Sequence, residues 1–204
     1  MKEAIIIGYS GHSYVVLDML QLNKYKIKGY YEKSVKTLNP FNLNYLGSED
    51  KLEKTETDIA IFITIGDNHN RNKIFHNLSG CSAQMPALFH PKSIVARTVK
   101  IDCASLVMPG SVINAFSIIG KGVICNTGCI VEHECVIGDF SHIAPGAVLA
   151  GGVLIGSNSF IGANSVVKQG IKVGKNVIVG AGSVIVKDVP DNSIVYGNPT
   201  KYKT

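Results

Sequence analysis

From Val95 to Pro190 the chain repeats every six residues without an insertion or a deletion. Sixteen hexads fit this register, and fifteen begin with Ile, Leu or Val, from Val95, Ile101 and Val107 through to Ile185; Cys125 is the exception. Fifth positions are restricted too. Ser105, Ser111, Ser117, Cys129, Cys135, Ser141, Ala147, Ser159, Ser165 and Ser183 are small, and the others are Val or Ile. Second positions include Gly120, Gly138, Gly156, Gly162, Gly174 and Gly180. Chance does not hold such a register over 96 residues.

A six-residue period is a short flat strand followed by a corner. The first position points inward, where a branched aliphatic fills the interior. The fifth admits only small or branched groups in a tight space. Glycine and asparagine serve the corners, where positive φ is needed. Three faces close one coil of about 18 residues, and successive coils stack as parallel strands ~4.8 Å apart. Residues 95–190 are therefore expected to form a prism of about five coils, roughly 25 Å tall. Periodicity does not fix its hand; the general rule favours right-handed parallel crossovers.

The rest of the composition narrows the function classes. Charged residues are 17% of the 204-residue chain and hydrophobic ones 46%, which excludes charge-rich disorder. The net charge of +5 is spread along the sequence with no basic patch, so nucleic acid is not an expected partner. No apolar run reaches the ~18 residues of a membrane span. The start, Met1-Lys2-Glu3-Ala4-Ile5-Ile6-Ile7-Gly8, lacks the features of a signal peptide and reads directly as a first strand, so a cytoplasmic protein is expected. Five cysteines, at 81, 103, 125, 129 and 135, form no CxxC pair. They read as buried small apolar residues rather than as metal ligands or a disulfide framework.

Residues 1–94 alternate strands and helices. Ala4–Ile7 is an apolar strand ending in Gly8-Tyr9-Ser10-Gly11-His12, and Ser13–Leu22 has helical spacing. Ile27–Tyr31 reads as a second strand, and the apolar Ile59–Ile65 as a third, central and buried on both faces. Asn70–Leu78 reads as a short helix, and Ser48–Glu53 as another with Ser48 as its cap. This pattern predicts a small Rossmann-like α/β domain with a parallel sheet. His90-Pro91 marks the passage into the repeat.

In such a domain the first βα turn is the ligand site, because backbone N–H groups and a helix N-terminus attract phosphate. Gly8 and Gly11 allow close approach, but the third glycine of a dinucleotide fingerprint is missing, and a purely structural turn stays open. His12 in this turn reads equally as a cap or as a ligand contact. His133 and His142 are the only histidines among the hexads, and Glu132 and Glu134 flank the first. A neighbouring carboxylate raises imidazole basicity and can fix its tautomer. The alternative for His133 is an ordinary surface histidine on a corner.

Several stretches together resemble one family over nearly the whole chain. They are Gly8-Tyr9-Ser10-Gly11-His12, Ile65-Gly66 followed by Asn68 and Arg71, His90-Pro91, and the ending Val195-Tyr196-Gly197-Asn198-Pro199-Thr200-Lys201. The most specific is the run from Asn126 to His142 containing Val131-Glu132-His133-Glu134-Cys135. The sequence is similar to the hexapeptide-repeat acyltransferases, and within them to the sialic acid O-acetyltransferase and bacillosamine N-acetyltransferase group with an N-terminal Rossmann-like domain. The resemblance implies a nucleotide-sugar-binding domain over 1–94, a left-handed parallel β-helix over 95–190, and a tail, 191–204, that contacts coenzyme A. It also implies a homotrimer with active sites between subunits and acetyl-CoA along the groove between them, without a metal. His133 would match the catalytic base and Glu134 the acid that tunes it. His142 would match a residue at the acetyl or pantetheine part of the cofactor, and Gly151, Ala163 and Ala181 backbone contacts to it. Ser10, Gly11, His12 and Gly66 would hold the nucleotide-sugar. The family often has two acidic residues after its second strand. Here the pair is Tyr31-Glu32, also assigned to substrate, which leaves the nucleotide open.

The implied reaction is acetylation of a UDP-, dTDP- or GDP-linked 4-amino-4,6-dideoxysugar, for lipopolysaccharide or capsule biosynthesis. O-acetylation of a sialic acid is the nearest alternative. A zinc lyase on the same prism would need three histidines, and the hexads hold two. An ice-binding or otherwise non-catalytic solenoid would want ranks of outward threonine, and residues 95–190 hold only Thr98 and Thr127.

Overall fold

A computed structural model describes residues 2–49, 52, 59–78 and 84–202. The first unit contains β1 (Lys2–Ile7), α1 (Gly11–Leu22), β2 (Tyr25–Tyr31), β3 (Tyr45–Gly47), β4 (Ala60–Ile63) and α2 (Asn68–Asn77). Its sheet has the order β3-β2-β1-β4, and every pairing is parallel. Ala4 to Ile7 are all buried, as a strand covered on both faces requires. Ala4 and Ile6 pack with Val16, Leu17 and Leu20 of α1, whereas Ile5 and Ile7 pack with Phe75 of α2.

The expectation that Ile59–Ile65 is central needs correction. Among the described residues β4 is an edge strand, paired only with β1. Its apolar character comes from its faces: Phe62 joins the α1 cluster, and Ile61 and Ile63 join the α2 cluster. Thr64 then ties the strand end to the first turn, its hydroxyl donating to the carbonyls of Ile7 (3.0 Å) and Gly8 (2.6 Å). The helix expected over Ser48–Glu53 falls largely outside the described residues.

The second unit is a parallel β-solenoid. Two-residue strands stack with a spacing of 18, as where Ile124 pairs with Leu106 below and His142 above. The three faces carry eight, six and five strands. The five-coil expectation is therefore too short. β5 (Leu88–Phe89) adds a rung beneath the hexads by pairing with Leu106–Val107. At the other end Ile194–Tyr196 continues the same face, and Lys201–Tyr202 closes it antiparallel.

The first positions form one continuous core from Val107 to Ile185, with Val95 and Ile101 packed against it. The buried serines do more than fill space. Ser105 Oγ donates to the Gly120 carbonyl (2.7 Å) and accepts from Val123 N–H (3.0 Å), so one hydroxyl joins successive coils. Ser117, Ser141, Ser159 and Ser165 repeat this pattern. The corner conformation belongs to the fourth hexad position, where Gly110, Gly128, Asn158 and Asn164 all have positive φ. Second-position glycines answer a different demand, because a Cβ on Gly138 would stand 2.5 Å from Ser157 N in the next coil.

The units meet along the face of the solenoid that holds Leu106 and Ile124. Both are buried there in one cluster with α1, Ile6 and Phe62. Ala104 and Phe140, at the neighbouring corner, pack with Ile63 and Phe75.

Candidate functional site

His133 stands at the corner between strands Ile130–Val131 and Val136–Ile137. Its side chain is 54% exposed, and its Nδ1 lies 3.0 Å from Glu134 Oε2. Glu134 occupies a fourth position with φ of 60°, where the repeat otherwise favours Gly or Asn. A residue with a Cβ in this conformation carries a steric cost of roughly 1–2 kcal/mol. The cost goes with placing a carboxylate beside the ring. Gly151, one coil above, supplies the room: a Cβ there would stand 2.5 Å from His133 Cε1 and 2.6 Å from Nε2. With the carboxylate at Nδ1, the arrangement presents Nε2 as a hydrogen-bond acceptor or proton acceptor.

His142 sits on the face that meets the first unit and is 7% exposed. Asn126 Nδ2 is 2.9 Å from its Nε2, and the Gly66 carbonyl is 3.3 Å from its Nδ1. The amide donates and the carbonyl accepts, so these partners select the neutral tautomer with hydrogen on Nδ1. Burial, then the charge of Arg71, push His142 down to about 3. The same two causes push His12 down to about 4, and its ring lies 6.3 Å from that of His142.

A cleft of about 780 Å³ opens at the C-terminal ends of β1 and β4. Ser10, Glu32 and Gly66 line it; Gly11, His12 and Tyr31 do not. Lys33, Lys36 and Lys73 line it together with the acids Glu32, Glu49 and Asp67, so its walls carry both signs of charge. The Glu32 carboxylate accepts from Tyr9 N–H (3.1 Å) and Lys33 N–H (3.2 Å) and pairs with Lys36 at 3.3 Å. Burial pushes its pKa up, but these partners outweigh burial and hold it below the usual carboxylate range. Gly8, at the cleft, has φ of 92° and would set a Cβ 2.5 Å from Ile65, so its glycine is required by the fold. Gly11 has open space in the corresponding place.

Gly151 belongs to the His133 corner, whereas Ala163 and Ala181 lie one above the other on a different corner of the column, after Phe160–Ile161 and Ile178–Val179. Cys125, Cys129 and Cys135 are buried, and burial pushes the Cys135 thiol up, which is unlike a nucleophile. Among the described residues no group of three metal-ligating side chains exists. Two features went unread in the sequence. One is the burial of Arg71: the residue belongs to the stretch that carries the family resemblance, but nothing in its spacing shows that it is buried. The other is the special φ of Glu134, which the fourth-position rank of glycine and asparagine does signal.

A parallel β-solenoid with an exposed histidine–carboxylate corner, joined to a parallel α/β unit with a cleft of mixed charge, defines a hexapeptide-repeat protein of the transferase type. Comparison with known proteins makes this specific. Residues 3–78 match the PglD N-terminal domain family, and residues 152–187 match the hexapeptide repeat of succinyl-transferase. The acetyltransferase domain of PglB from Neisseria gonorrhoeae is 33% identical, with 100% of each chain covered and a TM-score of 0.93. The perosamine N-acetyltransferase from Caulobacter crescentus, solved as a histidine-to-asparagine variant with CoA and GDP-perosamine, is 32% identical. That match covers 99% of this chain and 97% of the other, with a TM-score of 0.89. WeeI from Acinetobacter baumannii is 26% identical over 98% of this chain and 99% of its own, with a TM-score of 0.88. The chain belongs to the family of hexapeptide-repeat sugar N-acetyltransferases with an N-terminal PglD-type domain.

Proposed function

We propose that the protein transfers the acetyl group of acetyl-CoA to the amino group of a nucleotide-linked 4-amino-4,6-dideoxysugar. The observation that carries this is the His133–Glu134 pair at an exposed corner, with Nδ1 held at 3.0 Å and Nε2 directed away from the carboxylate. The sugar nitrogen attacks the thioester carbonyl carbon while His133 Nε2 accepts a proton from that nitrogen. Glu134 stabilises the imidazolium that forms. The tetrahedral intermediate collapses by breaking the C–S bond, and the proton passes from His133 to the leaving thiolate. Amide and free thiol are the products, and no acyl-enzyme is needed. Positioned proton transfer of this kind supplies typically ~10²–10⁴ in rate.

Lys33 and Lys73 in the cleft wall, beside Lys36 that is paired with Glu32, supply cations for a diphosphate, and Ser10, Glu32 and Gly66 are assigned to the nucleotide-sugar. Gly11, His12 and Tyr31 act beside that cleft rather than in its wall. His142, Gly151, Ala163, Ala181 and the tail from 191 to 204 are assigned to the cofactor side. Gly151 and Ala163 occupy different corners, and we infer that acetyl-CoA meets them in a groove between copies of the chain. A homotrimer satisfies this, and the exposed aliphatics Ile94, Ile118, Val166 and Ile178 on the solenoid provide apolar contact surface. No helix among the described residues is long and apolar enough to cross a membrane. Four unpaired cysteines among them fit a reducing compartment, and we place the enzyme in the cytoplasm. Its product would enter lipopolysaccharide or capsule synthesis.

The test is an acetyl-transfer assay with UDP-, dTDP- and GDP-linked aminosugars and with free sialic acid. Turnover of a nucleotide-linked amine is expected. Acetylation of sialic acid alone, or of none of these, overturns the reading.

A further inference from the structure

Arg71 has no exposed surface, and among the described residues no carboxylate forms an ion pair with it, Asp67 acting only at longer range. A buried cation without a counter-ion is costly unless its donors are satisfied. All of them are. Nε donates to the Gly122 carbonyl at 2.7 Å. Nη1 donates to Ile65 and Gly66 carbonyls, each at 3.0 Å. Nη2 donates to Asn68 Oδ1 at 2.8 Å and to the Phe140 carbonyl at 2.9 Å. Five N–H groups, the whole complement of a guanidinium, thus meet six acceptors drawn from the cleft wall, α2 and the solenoid, the sixth being the Ser141 carbonyl at 3.4 Å from Nη2.

One of those acceptors is shared. The Gly66 carbonyl takes a hydrogen bond from Arg71 Nη1 and also faces His142 Nδ1. The carbonyl therefore acts with Asn126 Nδ2, which donates to Nε2, in setting which nitrogen of His142 carries hydrogen.

We propose that Arg71 is a positioning residue, which pins the Gly66 carbonyl between the cleft and His142 and so locks His142 in its Nδ1–H tautomer with Nε2 turned to Asn126. The inference rests on the acetyl-transfer reading only in linking the cleft to catalysis; the tautomer lock stands on the geometry alone. Charge and geometry act in the same direction. The groups facing His142 are Arg71 from α2 and His12 from α1, and Asp67 lies near Arg71. The guanidinium opposes protonation of both rings, while its fork sets the acceptor. Lysine keeps the charge but concentrates three donors on one atom and cannot span these acceptors.

The experiment uses the full chain labelled with ¹⁵N-histidine, as wild type, Arg71→Lys and Arg71→Met, with His142→Asn to assign the signal. Long-range ¹H–¹⁵N spectra from pH 5 to 8 report tautomer and charge, and steady-state kinetics vary each substrate. In the wild type, His142 stays neutral and Nδ1-protonated throughout. Arg71→Lys gives a mixed tautomer and lowers kcat/KM for the aminosugar by ~10²-fold, the scale of a misplaced group. Its KM for acetyl-CoA rises as well, because His142 is assigned to the cofactor side. Arg71→Met adds titration of His142 within the pH range. A wild-type His142 that is Nε2-protonated, or that titrates above pH 5, overturns the proposal even where neither variant folds. So does an Arg71→Lys enzyme with wild-type spectra and rates. A wild type with the expected spectra and no acetyl transfer would instead refute the functional reading and leave the lock intact.

Discussion

Leu106, Ile124, His142, Phe160 and Ile178 occupy one repeat position on successive rungs of the solenoid. In the α/β unit no position has such a set of equivalents. The solenoid therefore carries its own control series, in which a residue that departs from its rank declares a second duty. His142 breaks an apolar rank, and Glu134 is the one carboxylate at positive φ in a rank otherwise held by Gly, Asn, Ala104, Phe116 and Phe140. In the α/β unit the same information is spread over unique contacts, and Arg71 shows its role only through the carbonyls it gathers. The comparison teaches that a repeat separates folding from function by position, whereas a non-repeating unit combines them in single residues.

The sharpest test of that separation is at the corner. His133→Ala removes an exposed ring that no core residue needs, and it is expected to lower kcat by ~10²–10⁴. Melting temperature and coenzyme A affinity should stay near the wild-type values by thermal denaturation and calorimetry. Turnover within threefold of wild type would break both the base assignment and the comparison.

The junction between the units is expected to answer to pH. In the unfolded chain His12 and His142 protonate near their ordinary value of 6.5, whereas folded they are held at about 4 and about 3. The unfolded state thus binds more protons between these limits, so stability falls as pH falls below 6.5. From pH 7 to pH 5 this costs about 2 kcal/mol per histidine. Urea midpoints should fall accordingly, and the fall should shrink in His142→Asn. An equal pH dependence in that variant would remove His142 from the account.

Gly151→Ala sharpens the comparison further, since it is a change in the column that reaches chemistry only by displacing a neighbour. The new Cβ occupies the place of the His133 ring, and a loss of ~10–10² in kcat is expected with stability unchanged. Ser165→Ala is the converse. It leaves the Ser183 N–H without its hydroxyl acceptor, while the Gly180 carbonyl keeps the Ser183 hydroxyl at 2.7 Å. A cost of ~1–3 kcal/mol is expected in denaturant titrations, with wild-type turnover below the transition.

How much could be read in advance follows the same division. The inward aliphatics, the small fifth positions and the odd histidines were legible because sixteen copies define what is ordinary. The hydrogen-bonding duty of the serines was not legible, because size alone already accounted for them. Positive φ at the corners was legible, but not the hexad position that carries it, because two ranks contain glycine, and only coordinates separate close stacking at Gly138 from positive φ at Gly152. In the α/β unit, β1 and the helices were visible from apolar runs and spacing. The edge placement of β4 was not, because burial by helices and solenoid mimics burial in the middle of a sheet.

The smallest expected effect bears on where function departs from the repeat. Glu134 holds φ of 60° although it has a Cβ, and Asn158, Asn164 and Asn176 occupy equivalent positions. Asparagine tolerates this conformation because its short amide hydrogen-bonds locally. Glu134→Asn is therefore expected to raise stability by up to ~1 kcal/mol while lowering kcat, since the carboxylate beside His133 is lost. Thermal denaturation and initial rates on the same preparation measure both quantities. A variant that is less stable than wild type would show that Glu134 serves the column itself. A more stable and slower enzyme would show that this corner holds strain because the ring beside it needs a charge.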